Sequence, residues 1–107
     1  MKRIIVRQDV RRDMARYVRH LAGDNPKAGE DFATAAEATF RQIAQFPSLG
    51  RLRRWRHPEL AAVRSRVMPR PFGAWLVFYR EMSDAVEILR VLHGSLDLEA
   101  RISQAPE

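Results

Sequence analysis

The sequence predicts an α+β fold of order β-α-α-β-β-β, with an N-terminal helical hairpin packed on one face of a four-stranded antiparallel sheet. Three stretches lead to that expectation. Residues 74 to 92 hold two apolar runs, Ala74 to Arg80 and Ala85 to Leu92, separated only by Glu81-Met82-Ser83-Asp84. The first run has the aromatic and aliphatic composition of a strand covered on both faces. The second is apolar at six of eight positions, and so short a connection requires the two to pair antiparallel. Residues 9 to 46 carry apolar side chains at helical spacing, interrupted once by Asp24-Asn25-Pro26. Between these regions, Val63 to Met68 alternates Val63, Ser65 and Val67 with Arg64, Arg66 and Met68, as a half-buried strand does.

Lys2 to Arg7 reads as a first strand near a sheet edge, carried by Ile4, Ile5 and Val6. Asp9 is the expected N-cap of the first helix. Its buried face is Val10, Met14, Tyr17, Val18 and Leu21, its outer face Arg11, Arg12, Arg16 and Arg19, and Gly23 its end. The second helix starts at Asn25, whose side chain can accept from free amides, followed by Pro26, which lacks an N–H that would go unused there. Its apolar face is Phe32, Ala35, Ala36, Phe40, Ile43 and Phe46, and Pro47 stops it. The short link folds the helices into a hairpin, and Ala33, Ala35, Ala36 and Ala38 allow close approach. Ser48 to Glu59 has no apolar period and reads as a surface loop, and Pro69, Pro71 and Gly73 form the turn into the strand hairpin.

A chain of 107 residues fits a single domain, 1–107, with a core that needs no staple. With no cysteine, thiol chemistry and thiolate metal clusters are excluded. The N-terminal residues lack a secretory apolar segment, and no run approaches a membrane span, so a cytoplasmic protein without membrane association is expected. The histidines His20, His57 and His93 are not spaced as metal ligands, phosphate-binding loops are absent, and no metal or cofactor is expected.

The charge is unevenly placed. Arg51, Arg53, Arg54, Arg56, Arg64, Arg66 and Arg70 face only Glu59 between positions 51 and 70, and of 19 basic and 13 acidic residues in all, 12 of each remain elsewhere. The formal charge of +6 therefore resides in this segment. Guanidinium groups in such number suit an anionic partner, either nucleic acid or acidic polypeptide, beyond what solubility requires. Trp55, between Arg54 and Arg56, is equally suited to a partner surface and to covering the core from a loop. A second reading makes the chain a metal-independent ribonuclease, with Arg66 and Arg80 on the phosphate and His93 as base. Against it, Arg80 and Arg90 are as readily explained by structural carboxylates such as Glu87, and His93 by a strand end.

Several of these residues also form motifs. Phe78-Tyr79-Arg80, the segment Glu87 to Gly94 (EILRVLHG) and the Leu96-Asp97 step resemble the C-terminal signature of the RelE/ParE family of bacterial type II toxins. Phe46 to Arg51 (FPSLGR) resembles its FPxLGR turn, and Asp24-Asn25-Pro26 its DNP helix start. The matches follow the family order and cover nearly the whole chain. The resemblance implies the β-α-α-β-β-β fold and one of two activities. RelE-like members cut messenger RNA on the ribosome with basic residues and a basic or tyrosine residue near the C-terminus, whereas ParE-like members inhibit DNA gyrase without that set. The long hairpin and a tail after His93 that contains no Tyr or Lys resemble the ParE-like group, implying a toxin that acts by binding. The resemblance also implies a cognate antitoxin with a C-terminal segment that wraps the toxin. An acidic and apolar segment of that kind would suit the helical hairpin and the residues Arg51 to Arg70. The arginine-rich loop from Arg53 to Ala62 departs from the family pattern, and no individual gyrase contact is carried over. A third reading is an antitoxin-binding module that is no longer toxic.

Overall fold

The computed structural model describes residues 1–103; the last four residues of the expected 1–107 domain lie outside the described residues. β1 (Arg3–Val6) leads into α1 (Gln8–Asp24) and α2 (Pro26–Gln45), and then β2 (Arg51–Leu52), β3 (Arg64–Val67), β4 (Trp75–Glu81), β5 (Ala85–His93) and α3 (Leu98–Ser103) follow. Short 3-10 turns occupy Pro47–Leu49 and Pro58–Leu60. The α+β class and the helical hairpin are as expected.

The sheet differs from expectation in two ways. It has five strands in the order β1-β5-β4-β3-β2, because Arg51–Leu52, read as loop, pairs antiparallel with β3. Two residues are too few to give a period in the sequence. The sheet is also mixed: β1 lies parallel to β5, with Arg3 opposite Ala85 and Val6 opposite Ile88. A strand that leaves straight into a helical hairpin crosses over before the chain returns, and this crossover permits the parallel pairing.

Asn25 caps α2 as expected, its side chain accepting from Lys27 N–H at 3.0 Å, while its own N–H donates to Leu21 at the end of α1. One residue thus joins the helices. α1 begins two residues earlier than expected, with Arg7 in the capping position, and Asp9 lies in its first turn. The helices approach most closely at Gly29, where a Cβ would come 2.9 Å from the Val18 carbonyl and 3.1 Å from Ala22. This glycine, more than the alanines, sets their separation.

The sheet is covered on both faces. On the helix side Val77, Tyr79, Val86, Ile88 and Val91 pack with Val10, Phe32, Ala36 and Ile43. On the other side Leu76, Phe78, Leu89 and Leu92 are covered by Leu60 and Val63, with Trp55, Leu98 and Ile102 at the margin. The arginine loop and α3 therefore form a second layer, and Glu99 of α3 binds them together by accepting from the N–H groups of Arg56 and His57 at 2.7 and 2.8 Å. The alternation expected from Val63 to Met68 breaks at its end, where Val67 is 52% exposed and Met68 is buried.

A β-bulge shapes the centre. Phe78 lies opposite Arg90 and Tyr79 opposite Ile88, so Leu89 is an extra residue on β5. It enters the second core, Val91 takes up the helix side, and Arg90 lies across the sheet edge between α1 and α3. There it donates to Asp13 and to the Arg101 carbonyl.

Candidate functional site

The outer edge of β2, the adjoining part of β3 and the loop that follows β2 gather the arginines of the 51–70 segment. Arg51 is exposed on the edge strand itself, and Arg54 and Arg56 are exposed in the loop. Arg64 and Arg66 project from β3 on the helix side. Arg64 donates to the Gly50 carbonyl at 2.8 Å, and Arg66 to the Gln42 side chain at 3.2 Å. Arg53 turns to the other face, donating to Ser65 at 3.0 Å with its guanidinium 5.8 Å from the Phe78 ring centre. Arg70 is exposed in the turn before β4. The structure thus brings Arg51, Arg64 and Arg66 to one edge and sets Arg53, Arg54 and Arg56 beside it in the covering loop.

None of these seven arginines forms an ion pair among the described residues; the pairs there are made by Lys2, Arg3, Arg7, Arg12, Lys27, Arg80 and Arg90, beside a contact of His57 with Glu59. The side chains of Arg53, Arg64 and Arg66 bond to neutral hydroxyl, carbonyl and amide oxygens, which position them without cancelling their charge. Trp55 is turned inward. Its ring meets Phe78 edge-on at 6.1 Å, and its indole N–H donates to the Val63 carbonyl at 3.3 Å.

A feature the sequence did not disclose lies beside the arginines. Phe46, Leu49, Leu52 and Val67 are 56, 40, 51 and 52% exposed. Phe46 and Val67 fit the apolar periods of α2 and β3, and nothing in those periods shows that both fall past the end of the packed region. The FPSLG turn that carries Phe46 and Leu49 is fixed from beneath by Tyr79. The Tyr79 hydroxyl donates to the Pro47 carbonyl at 2.6 Å and accepts from Gly50 N–H at 2.8 Å. Burial raises the Tyr79 pKa, partly offset by the Gly50 hydrogen bond and by Arg64. Position 50 must be glycine, because a Cβ there would overlap the Tyr79 hydroxyl and ring.

The alternative set Arg66, Arg80 and His93 is not brought together. Arg80 lies opposite Glu87 and His93 opposite Trp75, at the two ends of the β4–β5 ladder, about 17 Å apart at the rise of a strand. Arg80 donates to Glu87 at 2.7 Å, and Arg66 points toward α2. The His93 Nδ1 is engaged by Ser95, through its hydroxyl at 2.8 Å and its N–H at 3.2 Å. The His93 backbone N–H donates to the Tyr17 hydroxyl, and its ring stands edge-on to Trp75 at 4.9 Å. Among the described residues, no three His, Cys, Asp or Glu side chains are grouped so as to hold a metal ion, and no helix is long and apolar enough to cross a membrane.

Comparison with known proteins agrees with this architecture. Residues 4–98 match the family model described as ParE toxin of type II toxin-antitoxin system, parDE. Toxin ParE3 of Caulobacter vibrioides (strain ATCC 19089 / CIP 103742 / CB 15) is 31% identical over 105 residues, covering 97% of this chain and 98% of that protein. A solved structure of the chromosomal ParDE TA system from P. aeruginosa shares the fold, with a TM-score of 0.70 at 16% identity over 87% of this chain and 96% of that one. With the family model matching residues 4–98, from within β1 through both long helices to the end of β5 and beyond, the chain belongs to the ParE toxin family of the parDE type II toxin-antitoxin system.

Proposed function

We propose that this ParE-family toxin acts by binding, with DNA gyrase as its target, as one domain over residues 1–107. In this reading a cognate antitoxin silences it by laying an acidic and apolar segment along the β2–β3 edge. The observation that carries the antitoxin part is the coincidence at one edge of unpaired guanidinium groups with exposed Phe46, Leu49, Leu52 and Val67. An apolar anchor among forked cationic donors suits a polypeptide that alternates apolar side chains with carboxylates, since burial contributes affinity and the charges set register and on-rate.

The reading as a binding protein is supported by the separation of Arg66, Arg80 and His93, and by the engagement of the His93 Nδ1 lone pair, which a general base would need free. The gyrase target rests on family membership. Purified chain added to a gyrase supercoiling assay is expected to block supercoiling or to accumulate cleaved DNA. Undiminished supercoiling at a large molar excess of toxin would remove gyrase as the target and leave the antitoxin surface to be tested separately.

A further inference from the structure

Outside residues 51–70 the formal charge is balanced, but the structure does not spread that balance evenly. Many carboxylates there are engaged: Asp13 by Arg90, Glu87 by Arg80 and more distantly Arg7, Glu81 by Lys2, Asp84 by Arg3, Asp31 by Lys27 and Glu99 by two backbone amides. These pairs use up cations as well as carboxylates, and the exposed Arg11, Arg16 and Arg19 of α1 stand outside them among the described residues. Arg16 and Arg19 are exposed and form no ion pair among the described residues, while Arg12 meets Asp9 at 3.3 Å with 59% of its side chain exposed. Positions 12, 16 and 19 fall on one stripe of the helix. Its axial length of about 10 Å is the reach of about three successive nucleotides of one strand.

Beside the stripe lies a cleft lined by Arg16, Tyr17, His20, Leu21, Trp75, His93 and Ser95. It adds to the guanidinium groups the His20 and His93 rings. α1 packs against β5, through Asp13 to Val91 N–H and Tyr17 to His93 N–H, whereas β2 ends the sheet on the opposite flank. The two cationic surfaces are therefore separate.

They also differ in what accompanies the charge. The β2–β3 edge has four large exposed apolar residues beside it. The large exposed apolar residues are Met1, Phe46, Leu49, Leu52, Val67 and Met82, and none is on α1. A polypeptide partner brings side chains to be buried, whereas a sugar-phosphate backbone brings negative charge and oxygen acceptors along its length. We infer that the α1 stripe of Arg12, Arg16 and Arg19, with the His20 and His93 cleft beside it, binds the phosphodiester backbone of a nucleic acid independently of the β2–β3 edge.

The test is fluorescence anisotropy of the full chain with a labelled oligonucleotide of about twelve residues, single-stranded and as a duplex, between about 50 and 200 mM salt. The double variant Arg16→Gln/Arg19→Gln is expected to bind about tenfold more weakly at the lowest salt. It should also flatten the slope of log K against log salt by about 1.5, near 0.7–0.9 for each phosphate that is no longer neutralised. Arg54→Gln/Arg56→Gln removes the same charge from the other surface and is expected to change binding by less than about twofold. Equal losses from both doubles, or no binding of either oligonucleotide at the lowest salt, would overturn the inference. So would displacement by oligoglutamate as effective as by unlabelled nucleic acid at equal charge, since an acidic polypeptide would then be the better occupant. The measurement contains neither antitoxin nor gyrase, so its outcome is separate from that of the supercoiling assay.

Discussion

The carboxylate of Asp13, 2% exposed, grips the guanidinium of Arg90 in a two-point fork, with both N···O distances 2.8 Å, and also accepts Val91 N–H at 3.0 Å. β1 covers β5 only as far as Ile88, and beyond it α1 takes over the strand's open edge with Asp13 and then Tyr17. The pair holds the Arg90 proton more firmly than usual, chiefly through the hydrogen bond to Asp13 and against the effect of burial. Asp13→Asn removes the charge and half the fork while leaving Arg90 buried, and is expected to destabilise the fold by about 3–5 kcal/mol. Urea denaturation checks this; a loss below about 1 kcal/mol would show that the pair is dispensable.

Tyr79→Phe leaves the Pro47 carbonyl and Gly50 N–H without their partner, an expected loss of about 1–3 kcal/mol. The sign of its pH dependence follows from the raised pKa. From about pH 10 upward the unfolded tyrosine gives up its proton while the folded one keeps it, so stability falls as pH rises toward the folded-state pKa. Thermal melts between about pH 9 and 11 should show that decline in the parent and a shallower one in Tyr79→Phe.

Gly50→Ala places a methyl group against the Tyr79 hydroxyl and ring. Either the FPSLG turn lifts or Tyr79 shifts, for an expected loss of about 1–3 kcal/mol in denaturant melts. In the Tyr79→Phe background the loss should shrink if the hydroxyl dominates the clash, whereas an undiminished loss would assign it to the ring, which Phe retains.

Glu99→Ala frees the Arg56 and His57 amides from α3. Global stability should fall by about 1–2 kcal/mol. Hydrogen exchange should accelerate at residues 53–57 and 98–103 together, whereas acceleration in only one segment would show that Glu99 does not join them.

Arg51→Gln/Arg54→Gln/Arg56→Gln is expected to leave the stability in denaturant melts within about 0.5 kcal/mol of the parent, because these side chains hold no ion pair. Affinity for an acidic antitoxin segment, read by calorimetry, should fall at least about tenfold and lose much of its salt dependence.

The strand hairpin, the two helices and the Asn25-Pro26 junction were legible because each is written as a local period or cap over many residues. β2 and α3 were not, being two and six residues long and held by partners such as β3 and the amides of Arg56 and His57. Charge counting located Arg51 to Arg70, and helical spacing put Arg12, Arg16 and Arg19 on one face of α1, but which of those cations remain unpaired is visible only in space. The exposed apolar group beside β2 was hidden for a similar reason: Phe46 and Val67 obey the periods of their elements, and only the packing shows where those elements outrun the core. The identity of Asp13 as the partner of Arg90, 77 residues away, needed the bulge at Leu89, which no period reveals.

Arg3 and Asp84 meet across 81 residues of chain. Because β1 is held by β5, it finds its neighbour only when that distant strand is available. Until β5 has emerged from the ribosome, the opening segment has no ladder to join, and the helical hairpin lacks most of the surface it covers. Long-range closure of this kind slows folding. The sheet therefore cannot be completed by local pairing alone, and its β1 edge exists only once β5 is in place.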